Sequence, residues 1–239
     1  MKKLILTIII SFAAVTSVIG ETVRMGTEGA YPPYNYIDDS GNLAGFEIVF
    51  GNELCRRAGL ECEWVKNDWD SIIPNLVSGN YDTIIAGMSI TEERDKVIDF
   101  TQNYMLPRPS AYVAASEGAD VNGVIAAQTA TLQSGYIAES SASLMEFATP
   151  EETVSAVKDG EADAVFADYD YLAPIVDASG GSLMFVGEQV VLGLGTGMGL
   201  RETDTELKAK FNAAITSMKE DGSLNKLLLE WFGDDILLY

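Results

Sequence analysis

The sequence predicts an α/β protein of two packed lobes. Three observations carry this. Strand-like and helix-like segments alternate through the first half of the chain, the alternation restarts near Ala111, and no Ser/Gly-rich linker divides the two series. In the first series, Thr22 to Thr27 reads as a strand. Glu28 to Tyr36, with Pro32, Pro33 and three tyrosines, reads as a loop. Gly45 to Ala58 sets Phe46, Val49, Phe50 and Leu54 at helical spacing, and Gly59 ends that helix. Leu60 to Lys66 is strand-like. Trp69 to Val77 repeats the helical spacing with Ile72, Ile73, Leu76 and Val77 before Gly79, and Tyr81 to Ala86 is a short apolar strand. In the second series, Ala111 to Ala115 and Val124 to Ala127 read as strands, and Leu132 to Ser140 and Glu151 to Lys158 as helices. Ala162 to Ala167 is a strand and Tyr169 to Asp177 a helix. Leu183 to Val186 and Gly195 to Leu200 are strands. Asp204 to Lys219 is a long amphipathic helix, broken by Asp221-Gly222 before a last helix from Leu224 to Trp231.

The first residues set the compartment. Lys2 and Lys3 precede an apolar stretch from Leu4 to Val18, and Val18 and Gly20 place small residues before Glu21. This is the pattern of a secretory signal peptide over residues 1–20, so the mature chain is expected to start near Glu21 in the periplasm. The run is short against the ~20 residues that span a bilayer, and no later segment is long and apolar enough to do so. The chain carries 36 acidic and 15 basic residues, a net charge of −21, which repels nucleic acid and anionic lipid headgroups. The same charge is equally a solubility adaptation. An isolated cysteine pair in an exported chain, Cys55 and Cys62, reads as a disulfide worth roughly 2–3 kcal/mol, the alternative being two buried thiols. The chain has no histidine. That removes the commonest general base and the usual zinc ligand, and no cofactor or metal is expected.

In parallel α/β sheets, ligands bind beyond the carboxyl ends of strands. Glu28 and Tyr31 follow the first strand. Gly87, Met88, Ser89, Thr91, Glu92 and Arg94 follow Ala86; Gln128, Thr131 and Gln133 follow Ala127; and Asp168 follows Ala167. An arginine fork for a carboxylate, a carboxylate for an ammonium, hydroxyls and an aromatic ring are what a free amino acid needs. Each piece has a plainer reading. Ser89 and Glu92 fit a capping box, Asp168 fits an N-cap, and Gln128 and Thr131 fit an ordinary turn.

Six segments resemble the periplasmic polar-amino-acid-binding proteins of ABC importers, the solute-binding protein family 3 that includes histidine-, lysine/arginine/ornithine- and octopine-binding proteins. They are Gly26 to Tyr34, Leu43 to Ile48, Trp69 to Leu76, Ser89 to Arg94, Gly160 to Val165 and Gly195 to Arg201. The resemblance covers essentially the whole mature chain. It implies a two-lobe, type II periplasmic-binding-protein-like fold, with residues 21–106 plus 192–239 as one lobe and 107–191 as the other. It also implies cleft closure on the ligand. By resemblance, Arg94 grips the α-carboxylate with Ser89 and the backbone near Thr131. Asp168 takes the α-ammonium beside the Gly87 carbonyl and the Ser89 hydroxyl. Tyr31 and Trp69 sandwich the side chain, Glu28 meets a distal cation, and Gln128 and Gln133 line the second-lobe side. Met88 belongs to the same expected set, and Cys55 and Cys62 match a short disulfide of some members. The expected partners are an amino acid or opine and the permease subunits of an ABC importer, with the protein a monomer and not an enzyme. The alternatives are a neutral polar amino acid as ligand, or a cyclohexadienyl dehydratase-like enzyme on the same fold with Glu28 as its acid or base. The alternative for Glu28 itself is that it turns away and bonds the backbone of the Gly29–Tyr31 loop.

The chain also departs from the family pattern. Ala86 replaces a frequent serine, and Ala130 stands at a common glycine. Pro107 to Val124 lacks the usual Lys/Arg-bearing strand edge, and Leu106-Pro107-Arg108-Pro109 is an unusual crossing.

Overall fold

The computed structural model describes residues 22–239, so the leader expected over residues 1–20 lies outside the described residues. The chain opens with β1 (Val23–Thr27) and a small antiparallel sheet of β2 (Ala30–Tyr31), β3 (Asn35–Ile37) and β4 (Leu43–Ala44). It continues through α1 (Phe46–Ala58), β5 (Cys62–Lys66), α2 (Ile72–Val77), β6 (Thr83–Ile84) and β7 (Asp99–Phe100). Then come β8 (Pro109–Ala114), β9 (Val124–Gln128), α3 (Leu132–Ala138), β10 (Ser143–Phe147), α4 (Pro150–Lys158), β11 (Ala164–Asp168), α5 (Tyr169–Ala178) and β12 (Met184–Val191). The chain closes with β13 (Gly199–Leu200), α6 (Thr205–Glu220) and α7 (Ser223–Phe232).

Two five-stranded sheets result, in the orders β5-β1-β6-β13-β7 and β10-β9-β11-β8-β12. β1 lies parallel to β5 and β6, and β9 parallel to β10 and β11. In each sheet one strand runs against its neighbours: β13 in the first and β8 in the second. These are the strands on which the chain enters a sheet after coming over from the other. A helical crossover within a sheet returns the chain in the same direction, whereas a direct passage between sheets does not.

The helices form where the spacing predicts them. α1 runs from Gly45 to a left-handed Gly59, whose N–H bonds the Arg56 and Cys55 carbonyls. Its Phe46, Phe50 and Leu54 are fully buried against Phe211 and Ile215 of α6 and Leu224 and Leu228 of α7. Ile72, Leu76, Ile84 and Ile98 pack the other face of that sheet. α4 starts with a capping box between Thr149 and Glu152. The second sheet is covered by Val154 and Val157 of α4 and Leu172 of α5 on one face, with Ile137 of α3 in a separate cluster. Cys55 and Cys62 are joined in a disulfide.

Several local readings are corrected. The expected loop from Glu28 to Tyr36 contains β2 and β3, and β4 and β7 were not foreseen, because strands of two or three residues carry no periodic signal. β10 was missed because it is an edge strand with no face fully buried, in a serine-rich stretch. The helix expected from Trp69 begins as a 3-10 turn, Trp69–Ser71. The strand expected over Gly195 to Leu200 shortens to β13, with Thr196 in isolated bridges to Ser89 and Met105.

Candidate ligand-binding site

The carboxyl ends of β1, β6, β9 and β11 converge between the two large sheets around a cavity whose empty space, open mouth included, is about 370 Å³. Glu28, Tyr31, Trp69, Gly87, Ser89, Arg94, Gln128, Thr131, Gln133 and Asp168 all line it, with Ala86 and Leu132 completing the wall. Met88 does not. The backbone turns at Gly87, whose φ is +62°, and Ala86, Gly87 and Ser89 line the cavity while Met88 is fully buried in the core cluster of Trp69, Ile72 and Ile84.

Arg94 stands on a 3-10 turn, and its backbone N–H donates to Thr91 Oγ1 at 3.1 Å. The turn has no side-chain cap, and the capping-box reading of Ser89 and Glu92 is not realised. The guanidinium donates to the Ser89 carbonyl at 2.9 Å and to the Ala130 carbonyl at 3.2 Å, so it touches both sides of the cleft. Its central carbon lies 5.4 Å from the Trp69 ring centroid. Burial lowers its pKa to about 10, which leaves it a cation at neutral pH. Of five N–H donors, two are used by these carbonyls, and the planar fork suits a carboxylate.

Asp168 occupies the N-cap position of α5, but its side chain makes no capping bond. It faces the cavity instead, accepting from Tyr31 Oη and from Gln133 Nε2, each at 2.9 Å. Gln133 Nε2 also donates to Ser110 Oγ at 2.9 Å. Burial raises the Asp168 pKa to about 6, against the lowering effect of the Tyr31 bond. Thr131 does act as an ordinary cap: it is the N-cap of α3, and its Oγ1 accepts from the Ser134 N–H.

Glu28 is 5% exposed, and its Oε1 accepts from Gln128 Nε2 at 2.7 Å. It therefore does not bond the Gly29–Tyr31 backbone; the Gly29 N–H goes to Asn35 Oδ1 at 2.7 Å. Burial raises its pKa to about 7, outweighing the lowering effects of the Gln128 bond and the Lys66 charge. Tyr31 is pinned as well as aromatic: it stacks on Tyr171 at 4.4 Å and 10° while its hydroxyl holds Asp168.

Ala130 is the only non-glycine with positive φ among the described residues, at 57°. The alanine therefore retains the left-handed turn that a glycine would adopt freely, and it holds its carbonyl on Arg94. Ala130→Gly is expected to stabilise the protein by about 0.5–1 kcal/mol, a rise in Tm of roughly 1–4 °C by calorimetry. An unchanged or lower Tm would show that the turn carries no strain.

Sequence reasoning assigned no role to two groups that frame the site. Glu47 is fully buried and accepts from Asn35 Nδ2 and the Gly87 N–H, each at 2.7 Å, and from Tyr104 Oη. It ties β3, the loop after β6 and the segment after β7 to one carboxylate. It lies inside the Leu43 to Ile48 motif, so the signal was present without its partners. The second group explains the unusual crossing. Arg108 makes a two-point ion pair with Asp170, at 2.7 and 2.9 Å, and donates to the Asp235 carbonyl at 3.1 Å. Tyr34 Oη donates to the same Asp170 at 3.2 Å. The pair is nearly buried, with side-chain exposures of 12% and 6%. Asp170→Ala leaves a buried guanidinium without its partner and is expected to cost ~3–5 kcal/mol in denaturant unfolding. A loss under ~1 kcal/mol would place the pair among weak surface bridges.

Comparison with known proteins follows this geometry. The sequence pattern of the bacterial extracellular solute-binding proteins, family 3, matches residues 23–234. The L-arginine-binding protein of Pseudomonas aeruginosa is 32% identical over 232 residues, covering 90% of this chain and 89% of that protein. The crystal structure of a periplasmic His/Glu/Gln/Arg/opine family-binding protein from Silicibacter pomeroyi in complex with lysine has a TM-score of 0.90 at 73% identity. It covers 91% of this chain and 100% of that one. The ancestral amino acid-binding protein AncCDT-1, a precursor of cyclohexadienyl dehydratase, has a TM-score of 0.80 at 30% identity over 88% of this chain and 95% of its own. Among the described residues, no helix is long and apolar enough to cross a membrane, and no cluster of metal-ligating side chains occurs.

Proposed function

Because the chain belongs to the bacterial extracellular solute-binding proteins, family 3, we propose that it binds a free amino acid with a cationic side chain in the cavity between its sheets and delivers it, in the periplasm, to the permease of an ABC importer. The observation that carries this reading is that Arg94, Asp168 and Glu28 all line one cavity. Arg94 receives the α-carboxylate, Asp168 the α-ammonium and Glu28 the distal cation. Tyr31 and Trp69 flank the aliphatic stem between them. The lysine bound by the Silicibacter pomeroyi protein and the arginine of the Pseudomonas aeruginosa protein's name support that ligand class. The lobes are residues 21–106 plus 192–239 and 107–191, and closure brings the paired charges out of water together.

A thermal-shift screen of the amino acids and several opines tests the reading. Arginine, lysine or ornithine at a hundred times its Kd should stabilise by ~2.7 kcal/mol. Asp168→Asn should abolish most of that shift while leaving the empty protein's Tm no lower than that of the wild type. No shift with any amino acid would overturn the reading. The rival is catalysis, with the Glu28 carboxyl titrating near neutrality as the proton-transfer group. Incubation with prephenate or arogenate and a spectrum for aromatic product decides between the two.

A further inference from the structure

Glu28 and Trp69 belong to two cavities. On one side they close the pocket that holds Arg94 and Asp168. They also line a second cavity of about 510 Å³, partly open to solvent, whose other walls are Ala30, Lys66, Asp68, Asp70, Ala148 and Thr149. Gln128 stands at the border: it donates to Glu28 in the inner pocket and to the carbonyl of Ala148 in the outer one. Glu28, Trp69 and Gln128 therefore stand between the two cavities.

The outer cavity has a definite chemistry. Three carboxylates, Glu28, Asp68 and Asp70, face one ammonium, Lys66, which lies 3.8 Å from Asp68. The field favours a cation and repels an anion. Three of its walls, Ala30, Ala148 and Thr149, are small side chains. The Trp69 indole adds an aromatic face. A ligand nitrogen carrying methyl groups has fewer N–H donors to satisfy than an ammonium and more apolar surface to cover. A carboxylate, an indole face and room for methyl groups suit it.

We infer that the site accepts basic amino acids alkylated on their distal nitrogen, Nε-methylated lysines above all, with the alkyl groups entering the outer cavity between Glu28 and Trp69. This rests on the assignment of Arg94 and Asp168 to the α-carboxylate and α-ammonium, and the two can fail separately.

Calorimetric titration of the whole mature protein with lysine, Nε-trimethyl-lysine and Nε-acetyl-lysine tests it. Trimethyl-lysine should bind within about fivefold of lysine, while the neutral acetyl-lysine binds at least tenfold more weakly than either. The exposed Ala148 is changed to leucine to fill the outer cavity. Ala148→Leu should cost trimethyl-lysine tenfold or more and leave lysine within twofold. Lysine binding with trimethyl-lysine more than tenfold weaker would overturn the inference and leave the binding-site assignment standing. Failure of all three ligands would overturn both. Ala148→Leu weakening lysine and trimethyl-lysine equally would show that the outer cavity does not hold the methyl groups. Acetyl-lysine binding as tightly as trimethyl-lysine would show that it does not select a cation.

Discussion

Arg94→Lys is expected to weaken amino-acid binding at least ~100-fold, about 3 kcal/mol, although the charge is kept. The Arg94 guanidinium spends two donors on the carbonyls of Ser89 and Ala130, which fixes its plane beside Trp69. A lysine ammonium has three donors at one point and cannot hold both carbonyls and present a two-point face to a carboxylate. The Ala130 contact crosses the cleft, so its loss also removes a tie between the two sides. Arg94→Ala should bind no more than residually. Titration calorimetry of Arg94→Lys returning wild-type affinity would remove Arg94 from the carboxylate site.

Lowering the pH should weaken binding of a cationic ligand far more than that of a neutral one. Burial raises Glu28 to about 7 and Asp168 to about 6 in the empty protein. Both must be ionised to hold a cation, so protons compete with the ligand. At pH 5 the Asp168 shift alone costs any α-amino acid ~10-fold in affinity, and Glu28 adds ~100-fold for arginine or lysine but not for citrulline. The same shifts act on stability with a definite sign. A carboxyl whose folded pKa exceeds its unfolded value stabilises the fold at pH values below the unfolded pKa, near 4.5 for Glu28. That contribution is lost as pH rises through about 7. The empty protein should thus be relatively less stable at pH 8 than at pH 5 on account of these two groups, and a cationic ligand should reverse the trend. Glu28→Gln keeps the shape, removes the charge, and should erase most of the arginine-over-citrulline preference together with its pH dependence. A wild type that binds citrulline as tightly as arginine at pH 8 would show that Glu28 does not select for charge.

The fold was legible where elements are long and one-sided. α1, α4 and α6 carry apolar residues at helical spacing, and the end of α1 is marked by Gly59, whereas the Thr149–Glu152 capping pair of α4 was seen only in the structure. β4, β7 and β10 were not legible, because two-residue and edge strands owe their existence to partners far along the chain. The cavity was legible because it lies at strand ends, whose positions follow from the alternation. Arg94, Asp168 and Glu28 were named from that and from the family likeness. Met88 lies in the core beside the cavity wall, a placement that strand-end position alone does not reveal.

The sequence by itself determined the class of architecture, the disulfide pair, and the residues from which a site for an amino acid can be built. Periodicity, turn chemistry and motif spacing are local properties, written within a dozen residues of one another. Only the tertiary structure decided that Asp168 faces the cavity instead of capping α5, and that Glu47 anchors three segments. It also decided that Arg108 pairs with Asp170, and that Glu28 divides two cavities. Each of these draws on groups far apart in the chain, such as Gln133 or Tyr31 with Asp168, Glu47 with Gly87, and Gln128 with Glu28, which are 35 to 137 positions apart. A buried polar group must find its partner wherever packing has placed one, and that placement is settled by the whole core.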